Sequence, residues 1–115
     1  MLAIYPKQLE ELEKHCRFQA NAKLAEYAAK RFPANFKDLD PAQLLVFVDK
    51  VRSQAEKYEF EKEAHVATFL DLLVMYGDDF PQSQWAAPTL AAPNLSPDAK
   101  ITLLRQIVEA SGVKL

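Results

Sequence analysis

Few residues in this sequence have the type and spacing that chemistry needs. His15 and Cys16 are adjacent. On a helix, neighbours point about 100° apart, so the two cannot hold one metal ion together. Cys16 and His65 are the remaining thiol–imidazole combination, and no local signature marks them as nucleophile and base. Cys16 falls in register with apolar residues and reads as a small buried side chain. Glu61 and His65 stand four apart and would share a helix face. With one histidine and no second ligand cluster, they read as an exposed polar pair. Asp78 and Asp79 follow Gly77. Neither the alternating oxygens of an EF-hand nor an HExxH pattern is present, so this pair reads as an acidic turn leaving a helix end. Two isolated glycines cannot make a phosphate-cradling loop. The sequence therefore predicts no catalytic residue, no metal site and no cofactor.

The elements that would position these residues are helices. No stretch alternates apolar and polar residues convincingly, and no Asn-Gly or Asp-Gly hairpin signal occurs. All seven prolines fit element edges, and Gly77 and Gly112 each follow an apolar run, where a helix C′ position favours glycine. A first helix is expected from Pro6 to about Arg31. One stripe on it is Leu9, Leu12, Cys16, Ala20, Leu24, Tyr27 and Ala28. A second is Phe18, Ala22, Ala25, Ala29 and Phe32. Its length of about 39 Å exceeds what a small domain needs. Ala34–Leu39 reads as a connector with Phe36 and Leu39 as anchors. Asp40-Pro41-Ala42-Gln43 is a capping-box start for a second helix to about Tyr58. Periodicity alone permits one helix from Pro41 to Tyr76. A break at Tyr58–Glu61 is expected because a helix that long is improbable in a small domain. A third helix over about Lys62–Tyr76, apolar on several sides, is then the core element. A short helix follows near Trp85–Leu90. Ser96-Pro97-Asp98 opens a fourth main helix that Gly112 ends. The expected fold is all-α: a single helical domain over residues 1–115, built as a small bundle of four main helices plus a short one.

Composition narrows the function classes. Half of the residues are hydrophobic and 26% are charged, as in an ordinary globular chain. The formal net charge of −2 gives no basic field for nucleic acid or an anionic membrane. Charge is uneven: seven acids lie between Glu56 and Asp79 against Lys57 and Lys62. That stretch reads as a solvated helix face or as an acidic docking surface. The lone cysteine excludes an intrachain disulfide. MLAIYPKQLEE lacks the pattern of a secretory signal, and no apolar run approaches the roughly 18 residues of a membrane span. A cytoplasmic location is expected.

Several stretches together have a familiar order. An opening QLEEL helix ends in Arg31-Phe32-Pro33. A leucine-rich helix closes in AEKYEF, Ala55–Phe60. An apolar helix closes in MYGDDF, Met75–Phe80. Trp85-Ala86 follows, then a helix from Leu95-Ser96-Pro97 through Leu104. This pattern resembles the helical C-terminal lobe of type VI secretion adaptor chaperones, which load effectors onto the secretion spike, and related small proteins of effector clusters. It departs at Glu61-Lys62, where that family offers a small hydroxyl cap, and the resemblance does not extend to the adaptor's α/β lobe. The resemblance implies a protein that is not an enzyme and that helps load an effector, with an effector, an adaptor chaperone or both as its partner; a toxin is the partner only in the immunity reading below.

More apolar faces are present than short helices easily bury, which points to a chain that binds a protein or self-associates as a homodimer. Phe18, Ala22 and Ala25 on the first helix, with Phe80 and Trp85 beside Asp78 and Asp79, are the expected contact residues. The rival readings are an immunity protein, whose acidic stretch would cap a toxin's basic cleft, and a small helical scaffold or oligomerisation domain.

Overall fold

The computed structural model describes residues 6–110. Among them every regular element is helical and none is a strand, so the protein is all-α. The elements are α1 (Pro6–Arg31), α2 (Pro33–Phe36), α3 (Pro41–Lys57), α4 (Glu63–Tyr76), a 3₁₀ turn at Phe80–Gln82, α5 (Ala87–Ala91) and α6 (Pro97–Ala110). The four main helices and the short one stand where the punctuation places them. The expected stop at Gly112 lies outside the described residues. Two elements were not anticipated. The connector after Pro33 winds into the single turn α2, and Phe80-Pro81-Gln82 forms the 3₁₀ turn.

The chain divides into two compact units, Met1–Asp49 and Lys50–Leu115. In the first, α1 has no interior glycine or proline and is rich in Ala, Leu, Lys and Glu, which favour helix. It stops because a proline drives the residue before it out of helical backbone. Phe32 accordingly sits at φ −129°, ψ 62°. Pro33 then opens α2, whose Phe36 is buried with its ring 5.2 Å from that of Phe47. Leu39, the other expected anchor, is exposed.

The start of α3 is the anticipated capping box. The Gln43 N–H donates to Asp40 Oδ1 at 2.8 Å, and the Asp40 N–H donates to Gln43 Oε1 at 3.0 Å. Its end is a Schellman closure. The Phe60 N–H donates to the Ala55 carbonyl and the Glu59 N–H to the Glu56 carbonyl, both at 3.0 Å. Glu59 takes the left-handed position at φ 66°. The expected break between the second and third helices is therefore real, and it is made without glycine.

In the second unit, α4 supplies the largest share of the core of any element. Val66, Phe69, Leu70, Leu72 and Leu73 are buried along it. Phe60 is fully buried, with its ring 6.1 Å from Phe69. Gly77 ends α4 at φ 92°, where an L side chain is strained, and its N–H donates to the Leu73 carbonyl at 2.9 Å. Ser96 Oγ accepts the Ala99 N–H at 3.2 Å, capping α6 as expected. Ile101, Leu104 and Val108 are the buried apolar residues of α6.

Candidate protein-binding surface

The second half of α1 buries Asn21, Leu24, Ala25 and Ala28. At 100° per residue that face lies roughly 140° around the helix from the line of Leu9, Leu12 and Cys16. Its N-terminal continuation is polar. The Arg17 Nε–H and the Asn21 amide both donate to Asp49 Oδ1, at 2.7 and 2.8 Å. An apolar count misses such a face because two of its members are polar. The consequence is that every described side chain from Gln8 to Cys16 is exposed. Leu9 is 44% exposed, Leu12 53% and Phe18 59%. Leu12 and Phe18 lie about 120° apart on the helix, so α1 shows apolar groups to solvent on two sides.

The expected contact residues fare differently. Phe18 and Ala22 are exposed, as a binding surface requires, but Ala25 is buried. Asp78 and Asp79 are exposed. Phe80 is 1% exposed and belongs to the core, not to a surface. Its ring lies 5.3 Å from Phe69 and 5.6 Å from Trp85. Gly77 explains this placement: its positive φ turns the chain back, and the Phe80 N–H donates to the Gly77 carbonyl at 3.1 Å. Trp85 is half-buried and stands edge-on to Tyr76 at 5.1 Å. It closes a continuous run of rings from Tyr58 through Phe69 and Phe80. Only its outer part is available to a partner. The contact residues therefore fall in both units, Phe18 and Ala22 in one, Asp78 and Asp79 in the other.

The acidic stretch contracts as well. Asp71 is buried, and Glu63 is held by the buried Arg52 guanidinium in a two-pronged pair at 2.6 and 2.9 Å. Glu56, Glu59, Glu61, Asp78 and Asp79 stay exposed.

Of the candidate chemical groups, Cys16 falls in the first unit and His65 in the second. Cys16 is exposed on α1 rather than buried on its inner stripe. His65 is buried, not paired with Glu61 on an open face. The reason is that α4 begins at Glu63, which leaves Glu61 off the helix. His65 Nε2 lies 2.7 Å from Asp98 Oδ1, and Lys62 Nζ donates to the same carboxylate at 3.2 and 3.4 Å. His65 Nδ1 is buried with no hydrogen-bond partner and faces no solvent. The Lys62 hydrogen bond and charge, with smaller contributions from His65, hold the Asp98 carboxyl below the usual carboxylate range. Arg105 adds a further tie by donating to Thr68 Oγ1 at 2.8 Å. These polar contacts bind the start of α4 to α6. They join residues more than thirty positions apart, so no local spacing announces them. Among the described residues no group of three or more His, Cys, Asp or Glu side chains is placed to hold a metal ion. No helix of these residues is long and apolar enough to cross a membrane.

Comparison of the chain with protein-family models, with curated proteins and with solved structures finds no match.

Proposed function

We propose that this protein is a non-enzymatic binding partner in type VI secretion, adaptor-like or co-chaperone-like, that covers apolar surface of an effector or of its adaptor chaperone before delivery. The observation that carries the reading is the exposed first half of α1, with Leu9, Leu12 and Phe18 open to solvent. The resemblance of the ordered motifs to the adaptor lobe supplies the class of partner. The working surface is Leu9, Leu12, Phe18 and Ala22, in place of the wider set that included Ala25 and Phe80.

The test is capture of partners by tagged protein from its native cytoplasm, followed by binding of the recovered effector or adaptor as a purified protein. The wild type is expected to bind, and a Leu12→Asp/Phe18→Asp variant to lose at least about tenfold in affinity, or about 1.4 kcal/mol. Both sites are exposed, so the variant is expected to stay folded, within about 0.5 kcal/mol per site. Equal binding by the two proteins would sink the assignment of this surface. The exposed Asp78 and Asp79 favour one rival, immunity. Recovery of a toxin whose activity falls on mixing, with Asp78→Ala/Asp79→Ala reversing the inhibition, would replace loading by neutralisation.

A further inference from the structure

The turn joining α3 to α4 is only five residues long, Tyr58–Lys62, and contains neither glycine nor proline. It is held by the Schellman closure on Ala55 and Glu56. Glu59 occupies the left-handed position, which glycine normally fills because an L side chain crowds the backbone there. The flanking residues Ala55, Glu56, Lys57, Glu61, Lys62, Glu63 and Ala64 all favour helix. The same residues can therefore complete one helix from Pro41 to Tyr76, as the periodicity permits.

We propose that Tyr58–Lys62 is a hinge, and that two copies of this chain exchange everything beyond it, from α4 to α6. A short, strained connection is the arrangement that invites such exchange. Opening the hinge releases the backbone strain at Glu59 and lets the turn residues join a continuous helix. The contacts between the end of α3 and α4 can then be remade between copies, whereas the ring contacts of Tyr58 and Phe60 in the closed turn are given up. The Arg52–Glu63 pair is the marker. In the closed chain it joins residues eleven apart across the turn. In a continuous helix the same residues are about 16 Å apart along the axis, out of reach, and Arg52 meets Glu63 of the second copy instead. Phe60 opposes opening, because it is fully buried in the closed turn, 5.9 Å from the His65 ring. Loss of free translation opposes it too. The exchanged form is thus a minor species in dilute solution and grows with concentration.

The full chain is to be refolded over a range of concentrations and its mass read by light scattering after gel filtration. A dimer that forms at high concentration and reverts slowly on dilution is expected. Glu59→Gly removes no buried contact, since Glu59 is exposed. It relaxes the closed turn and weakens the continuous helix, so it is expected to lower dimerisation by about tenfold per hinge. Arg52→Glu and Glu63→Arg each break their own pair. Co-refolded, they regain both pairs only across an exchanged dimer, so a mixed one-to-one dimer, resolved by ion exchange, is expected to dominate. If Arg52→Glu alone does not fold, a folded mixed dimer on co-refolding remains the expected result. A wild type that stays monomeric throughout overturns the proposal. So does a dimer that Glu59→Gly leaves unchanged, which would mean association through another face such as α1.

Discussion

Phe80 shows what a single side chain can hide. It stands in an acidic, proline-containing turn, and from sequence it looks like a residue offered to a partner. The structure turns it inward between Phe69 and Trp85, because Gly77 at φ 92° reverses the chain three residues earlier. Removing a buried aromatic ring loses both its transfer free energy and its packing partners. Phe80→Ala is therefore expected to destabilise by about 3–5 kcal/mol, read as a lower urea midpoint at unchanged slope. A cost under about 1 kcal/mol would return Phe80 to the surface. Residue types with local partners were readable beforehand. Asp40 and Gln43 cap α3, Ser96 caps α6, and Gly77 ends α4, each through bonds to near neighbours in sequence. Residues whose partners are remote were not. Nothing near His65 points to Asp98, and nothing near Arg17 and Asn21 points to Asp49. For the same reason the apolar register of Cys16 does not bury it: α1 has no inner face at that height.

Helices α4 and α6 are tied at their starting ends by one carboxylate. Asp98 lies in the first turn of α6, where the helix dipole favours negative charge, and it receives Lys62 and His65 from the start of α4. Its carboxyl is held below the usual range chiefly by the Lys62 hydrogen bond and charge. A carboxyl that binds its proton less readily in the folded state than in the unfolded one stabilises the fold above its unfolded pKa, about 4. That contribution is lost as pH falls through the lower folded value. Wild-type protein and Asp98→Asn are thus expected to differ in melting temperature above about pH 4, with the wild type higher, and to converge at more acid pH. Parallel melting curves across that range would show that the tie carries no stability. The carboxylate is largely exposed, so the difference is expected to be small and to shrink with added salt. Sequence predicted both helices and the Ser96 start, yet not this tie. Helix ends follow from local capping, whereas the pairing of two ends depends on the intervening turns.

The boundary between the two compact units falls between Asp49 and Lys50 in the chain, inside α3 and not in a linker. In the sequence neither a composition shift nor a run of Gly, Pro or Ser marks that boundary. The buried side chains are divided unequally. Phe60, Val66, Phe69, Leu70, Leu72, Phe80, Leu104 and Val108 all belong to the second unit. The first relies on Leu24, Ala25, Ala28, Phe36 and Val48. Burial of large apolar side chains is the main source of folding free energy, so the capacity to fold alone should be divided in the same proportion. A fragment starting at Asp40, which keeps the α3 cap, is expected to retain helical circular dichroism and a single cooperative thermal transition. A fragment of residues 1–49 is expected to show weak helicity that fades gradually on heating, since five buried apolar groups, two of them alanines, cannot offset the ordering of a long helix. If the longer fragment melts without cooperativity, α1 is part of the minimal fold. The exposure of Leu9, Leu12 and Phe18 would then have to be reconciled with a structural demand on the same helix. If it folds, α1 is free to serve as the contact arm, and its removal should abolish partner binding while leaving the second unit's melting temperature within a few degrees of its value in the full chain.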